Sequence, residues 1–178
     1  FTSNATFSAA ENQTSIGTVT ATDTDTDDSS ITFSVSGSEL SIGSSSGVLT
    51  FNSAPDYETK SSYSATVTAS DGANTTNQNI IVNVTDVNDN SPSITSSATF
   101  SAAENQTAIG TVTATDADGD TLSYSLSGTD ASSMSINSSS GVLTFNSAPD
   151  YETKTSYTAT VTVSDGTNSV TQNITVSI

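Results

Sequence analysis

The sequence predicts an all-β chain made of two tandem seven-stranded Greek-key, immunoglobulin-like β-sandwiches. Three observations predict it: apolar residues alternate with Ser and Thr, β-branched residues dominate, and the second half of the chain repeats the first. The alternation runs through Ile31, Phe33 and Val35, and again through Tyr63, Ala65, Val67 and Ala69. It returns at Leu122, Tyr124 and Leu126, and at Tyr157, Ala159, Val161 and Val163. Such a period sends one face of each strand to a core and the other to water. No segment keeps the three-and-four apolar spacing of a helix over ten or more residues.

Within the first unit, about seven strands fit, near residues 4–9, 15–21, 31–36, 40–42, 48–52, 62–69 and 76–85. Turn signals such as Ser46-Gly47 and Asp71-Gly72 separate them at the close spacing of an antiparallel sandwich. The repeat is nearly literal. Thr6 to Thr14 recurs at Thr99 to Thr107, Ile16 to Asp23 at Ile109 to Asp116, and Ser44 to Lys60 at Ser138 to Lys154. The copies differ in loop length after Asp27 and Asp120, and again after Gly37 and Gly128. The expected division is repeat 1 over residues 1–85, a linker over 86–92 and repeat 2 over 93–178. Phe1 aligns with Ile94 and Ile178 with Val84, so the chain reads as an excerpt of a longer array.

With 19 acidic residues, two Lys, no Arg and no His, the net charge is −17, which repels phosphate backbones and anionic headgroups. Neither nucleic acid nor direct membrane insertion of this segment is expected. No run approaches the roughly 18 apolar residues of a bilayer span. There is no Cys, which excludes disulfides and thiol nucleophiles, and the absence of His excludes the usual triads. No enzymatic activity is expected. The pair Asp56 and Glu58 meets the residue requirement of a glycosidase, but no cleft-building insertion accompanies it.

Between the copies lies Asp86-Val87-Asn88-Asp89-Asn90-Ser91-Pro92, which leaves the alternating run Ile80, Val82, Val84. Two carboxylates and two carboxamides fall within five residues, and Pro92 ends the strand. Such a density of hard oxygen donors, with neither His nor Cys, suits calcium and disfavours zinc.

These features resemble the cadherin repeat. The resemblance is carried by Glu11-Asn12, Asp56-Tyr57-Glu58, the run from Tyr63 to Asp71-Gly72, Asp86-x-Asn88-Asp89-Asn90-x-Pro92, Asp116-Ala117-Asp118 and Asp165-Gly166. It covers essentially the whole chain. The stretch from Ala114 to Ser125 is similar to cadherin-like repeats of large bacterial surface proteins. The resemblance implies three Ca2+ ions at the joint. Its ligands would be Glu11, Asp56 and Glu58 from the first unit, and Asp116, Asp118 and Asp165 from the second. The linker would add the side chains of Asp86, Asn88 and Asp89 and the carbonyls of Val87 and Asn90. Eight carboxylates would then face six positive charges; without metal, a pair about 5 Å apart repels by roughly 3 kcal/mol at an effective dielectric near 20.

Asp23, Asp25 and Asp71, and likewise Glu104, Asp150 and Glu152, form incomplete half-sites expected to bind calcium weakly or not at all. The chain departs from the family in carrying Asp-Tyr-Glu where Asp-Arg-Glu is common, and in lacking Trp, which excludes Trp-anchored strand exchange. Asp23-x-Asp25-x-Asp27 and Asp116-x-Asp118-x-Asp120 also open like a helix-loop-helix calcium loop. Their sixth and twelfth positions, Asp28 and Ser34, or Thr121 and Ser127, are not the required Gly and Glu. Asp71-Gly72 and Asp165-Gly166 are read as turns as well, and Lys60 and Lys154 as offsetting the neighbouring acidic motif. Sequons begin at Asn4, Asn12, Asn74, Asn83, Asn105, Asn137 and Asn173.

The functional expectation is a calcium-stiffened extracellular spacer and adhesion module. Its partners would be neighbouring repeats of the same chain, like molecules or surface glycans. A carbohydrate-binding module and a filament subunit are the alternatives.

Overall fold

The computed structural model of the chain describes residues 1–24 and 30–178; the expected half-site residue Asp25 lies outside them. The chain divides into two units, Phe1–Val87 and Asn88–Ile178. In the first, β1 (Thr6–Ala10), β2 (Ser15–Thr18), β3 (Thr32–Val35), β4 (Leu40–Ile42), β5 (Val48–Phe51), β6 (Ser62–Ser70) and β7 (Thr75–Thr85) form two sheets, ordered β1-β7-β6-β3 and β2-β5-β4. The second repeats the plan with β9 (Thr99–Ser101), β10 (Ala108–Thr111), β12 (Ser123–Ser127), β13 (Met134–Ile136), β14 (Val142–Phe145), β15 (Ser156–Ser164) and β16 (Ser169–Ser177). Its sheets are ordered β12-β15-β16-β9 and β10-β14-β13, with a two-residue pair of β8 (Ser93–Ile94) and β11 (Ala114–Thr115) beside them. The longer loop after Gly128 holds one 3-10 turn, Ala131–Ser133.

The sheets are not wholly antiparallel. In each unit the first strand of the four-stranded sheet runs parallel to the last, β1 with β7 and β9 with β16. A short alternating strand fixes which face is buried but not the direction of a partner more than 60 residues away.

Alternation fills the cores as expected. Leu49, Val67, Ile80 and Val82 are fully buried in unit 1, and their counterparts Leu143, Val161, Ile174 and Val176 in unit 2. Each such side chain contributes about 1.5–3 kcal/mol relative to exposure. Phe51 and Tyr63 meet edge-on with centroids 5.0 Å apart, as do Phe145 and Tyr157 at 4.9 Å.

The ammonium groups of the two lysines meet acids that lie outside the motif preceding them. Lys60 Nζ lies 2.5 Å from Glu39 Oε1 and 4.2 Å from the Tyr63 ring centroid. Lys154 Nζ lies 2.5 Å from Asp130 Oδ1 and 4.5 Å from that of Tyr157. Glu39 and Asp130 sit on the loops whose lengths differ between the copies, so each loop delivers its own carboxylate to the same ring-supported ammonium. Asp130 also accepts the Thr158 N–H at 2.8 Å. The Lys154 bond and then the Thr158 bond hold the Asp130 carboxyl below its ordinary value of 3.8.

A carboxylate lowered in the folded state stabilises above the unfolded value, and that contribution disappears as pH falls through the folded value. Asp130→Asn should therefore destabilise the chain at neutral pH, and the gap to wild type should close on acidification below 3.8. Urea denaturation across this range checks it, and a pH-independent gap would contradict the assignment.

Candidate metal centre

The acids of the sequence motifs lie outside the strands, on loops at strand ends. None of the described strands contains Asp, Glu, Lys or Arg. In unit 1, Glu11 follows β1 and is buried, 4% exposed. Its Oε2 accepts the Tyr57 N–H and its Oε1 the Val87 N–H, both at 2.8 Å. One carboxylate thus ties the turn after Pro55 to the start of the linker. Glu11, Glu58 and Asp86 offer oxygens that all lie within 4.8 Å of one another. Asp56 is outside that trio. Its Oδ1 accepts the Thr59 N–H at 3.1 Å and its Oδ2 the Thr59 hydroxyl at 3.0 Å. It shapes the turn that presents Glu58.

In unit 2 the linker residues from Asn88 onward are held by the acidic loops. Asp118 Oδ2 accepts the N–H groups of Asp89 at 3.1 Å and Asn90 at 2.9 Å, while Oδ1 accepts the Asn90 amide at 2.7 Å. Asp116 Oδ1 accepts the N–H groups of Asp118 at 3.1 Å and Asp120 at 3.3 Å. Asp165 Oδ1 accepts those of Thr167 at 2.7 Å and Asn168 at 2.5 Å. This turn follows β15, and Gly166 takes φ 100° there, a region closed to most side chains. Burial acts to raise the Asp165 carboxyl. The N–H groups of Asn168 and Thr167, with the nearby amides of Asn168 and Asn88, outweigh it and leave the group below its ordinary value. It stays ionised.

The remaining oxygens decide what this loop cluster suits. Asp116 Oδ2 and Asp165 Oδ2 are both buried and accept no hydrogen bond. A buried carboxylate oxygen without a donor is costly unless a cation meets it. The donor set is oxygen throughout, since the chain has neither His nor Cys. These residues therefore fit a hard cation such as calcium. Asp120, absent from the expected ligand set, joins Asp116 and Asp118 with oxygens within 4.8 Å. Its position two residues beyond Asp118 was the available signal. Asn168, also missed, donates its amide to Asn88 Oδ1 at 3.1 Å and to the Asn90 carbonyl at 3.2 Å.

The expected half-sites differ from these. Glu104, Asp150 and Glu152 come within 4.8 Å but are all exposed, and Glu104 Oε2 accepts the Tyr151 N–H at 3.2 Å. The hydroxyl of Thr153, then Glu152, lowers the Asp150 carboxyl. Asp71 accepts N–H bonds from Asn74 and Ala73 that lower its carboxyl, and with Asp23 it borders a cavity of about 190 Å³.

Paired sandwiches with acidic loops at their strand ends define a class of tandem β-repeat. This chain belongs to the cadherin family: the Cadherin domain matches residues 5–85 and 97–178. Among curated proteins it is 38% identical to human Protocadherin Fat 4 over 132 residues, covering 68% of this chain and 3% of that protein. It is 36% identical to human Protocadherin Fat 1 over 168 residues, covering 83% of this chain and 4% of that protein. The chain thus spans a few per cent of the length of these relatives. Among solved structures, mouse Cadherin-23 EC22-24 is similar with a TM-score of 0.81 at 25% identity, over 97% of this chain and 61% of that one. Drosophila N-cadherin EC1-4 shares the fold with a TM-score of 0.79 at 23% identity, over 97% and 47% of the two chains.

Glu11→Gln would turn one of two buried acceptor oxygens into a donor facing an N–H. We expect a loss of about 1–3 kcal/mol in chelator. The exposed equivalent Glu104→Gln should cost clearly less, and urea denaturation of both variants measures the difference.

Proposed function

We propose that this pair of repeats is a calcium-stiffened spacer and adhesion module of an extracellular surface protein. Calcium would be held at the joint by the unit 1 oxygens of Glu11, Asp56, Glu58, Asp86 and Val87 and by the unit 2 oxygens of Asn88, Asp89, Asn90, Asp116, Asp118 and Asp165. Asp120 is added to this set. The family membership supports the reading, and the observation that carries it is the pair of buried, unpartnered oxygens on Asp116 and Asp165.

When bound, the ions supply positive charge that neutralises clustered carboxylates. The chain's own residues do the positioning. Glu11 fixes the start of the linker by the Val87 N–H, and Asp118 fixes its middle by the N–H groups of Asp89 and Asn90. Calcium removal would leave like charges on both halves unscreened, and the joint would flex. Extracellular modules of this kind bind on the order of 0.1–1 mM calcium, so external calcium keeps such a joint filled. At a tenfold excess over Kd the folded state gains about 1.4 kcal/mol.

Three ions, self-association through like molecules and contacts with neighbouring repeats are part of the same proposal. A glycan-binding face would call for a row of exposed aromatics. Among the described residues Tyr151 is the one large exposed aromatic. No helix among these residues is long and apolar enough to cross a membrane.

Scanning calorimetry across a calcium titration tests the ligand roles. Asp116→Asn and Asp165→Asn, and Asp89→Asn in the linker, should remove most of the calcium-induced rise in Tm. Asp150→Asn should leave that rise nearly unchanged, because its oxygens are exposed and already bonded within their own turn. Equal losses in all four variants would refute the assignment. Small-angle scattering tests the mechanical role: an end-to-end length that is the same in calcium and in chelator would refute the spacer.

A further inference from the structure

The chain contains the same turn twice, in two different settings. Asp71-Gly72-Ala73-Asn74 joins β6 to β7, and Asp165-Gly166-Thr167-Asn168 joins β15 to β16. Their local bonding is equivalent. Asp71 Oδ1 accepts the N–H groups of Ala73 at 2.8 Å and Asn74 at 2.6 Å, as Asp165 Oδ1 does from Thr167 and Asn168. Ser70 Oγ donates to the Asn74 carbonyl at 3.0 Å, and Ser164 Oγ to that of Asn168 at 2.9 Å.

The asparagine amide is where they part. Asn74 Nδ2 turns back to its own turn and donates to Asp71 Oδ2 at 3.3 Å. Asn168 Nδ2 donates instead to two linker oxygens, Asn88 Oδ1 and the Asn90 carbonyl, and Asp165 Oδ2 is left buried with no donor. Asn74 is exposed and Asn168 half-buried.

We propose that Asn168 is a positioning residue for the calcium site, a latch that trades its hold on the Asp165 carboxylate for a hold on the linker. The exchange does two things at once. It aims Asn88 Oδ1 and the Asn90 carbonyl, and because an amide oxygen has two lone pairs, a bond from Asn168 is compatible with a cation on the same atom. It also leaves Asp165 Oδ2 buried without a hydrogen bond, though the Asn168 and Asn88 amides lie near the carboxylate, and that oxygen calls for a cation. Linker docking therefore favours calcium binding, and by the reciprocity of linkage calcium binding favours linker docking to the same extent. The inference rests on the calcium reading above, and its test separates the two.

Asn168→Ala and Asn168→Ser are compared in the full chain with the matched variant Asn74→Ala. Two quantities are read: calcium affinity by titration calorimetry, and backbone 15N order parameters of residues 88–91 in chelator. In wild type the linker should be ordered without calcium, with S² near about 0.85; both Asn168 variants should fall below about 0.6. Their calcium affinity should drop about tenfold, whereas Asn74→Ala should change neither quantity. A merely structural residue would lower the apo melting temperature without moving the order parameters or the affinity. An unchanged linker overturns the latch, and so does tighter calcium binding, which would mean that the amide competes with the ion. Equal effects at Asn74 overturn it too. If wild type binds no calcium, the proposed function fails, and the order parameters still decide whether Asn168 holds the linker.

Discussion

The structure depends on keeping ionised groups off the sheets. Nineteen carboxylates and two ammonium groups have to be placed in a chain of 178 residues, and the described strands carry none of them. A strand buried on one face needs alternation only, and Ser, Thr and Asn supply the wet face without charge. Pairs such as Thr66 with Asn79 and Thr160 with Asn173 bond across neighbouring strands at 2.8 Å. With the sheet faces neutral, charge collects where strands end and the backbone offers unpaired N–H groups.

Those loose N–H groups each give a nearby acid a local partner. Glu11, Asp71, Asp116, Asp118 and Asp165 each accept backbone N–H bonds, which fix the side chain's direction. The same bonds leave a remainder. A carboxylate that spends one oxygen on the loop can turn the other elsewhere, and at Asp116 and Asp165 that second oxygen is buried and unmet. One side chain thus both fixes its loop and presents an unbonded oxygen.

The duplication works as an internal control. Residues of the same type in the same local motif differ in bonding according to what packs on them: Glu11 is clamped by two N–H groups, and its counterpart Glu104 is exposed with the Tyr151 N–H at one oxygen. The ammonium of Lys60 or Lys154 rests on a tyrosine ring in both units, but its acid comes from loops of unequal length. Local sequence sets the motif; neighbours set its state.

Strand positions, the buried face of each strand, the Asp-Gly turns and the residue types of the candidate centre were all legible in the sequence, because period-two alternation and turn chemistry act over a few residues. The runs around Val67 and Val161 and the turn at Gly166 needed no tertiary information. The parallel pairing of β1 with β7, the acid partners of the lysines, and the bonds of Asn168 to the linker were not legible. Each depends on groups brought together by chain closure over tens of residues. Spacing along a sequence names the oxygens a loop contains, whereas only packing settles which oxygens hydrogen bonds consume and which are left for a cation.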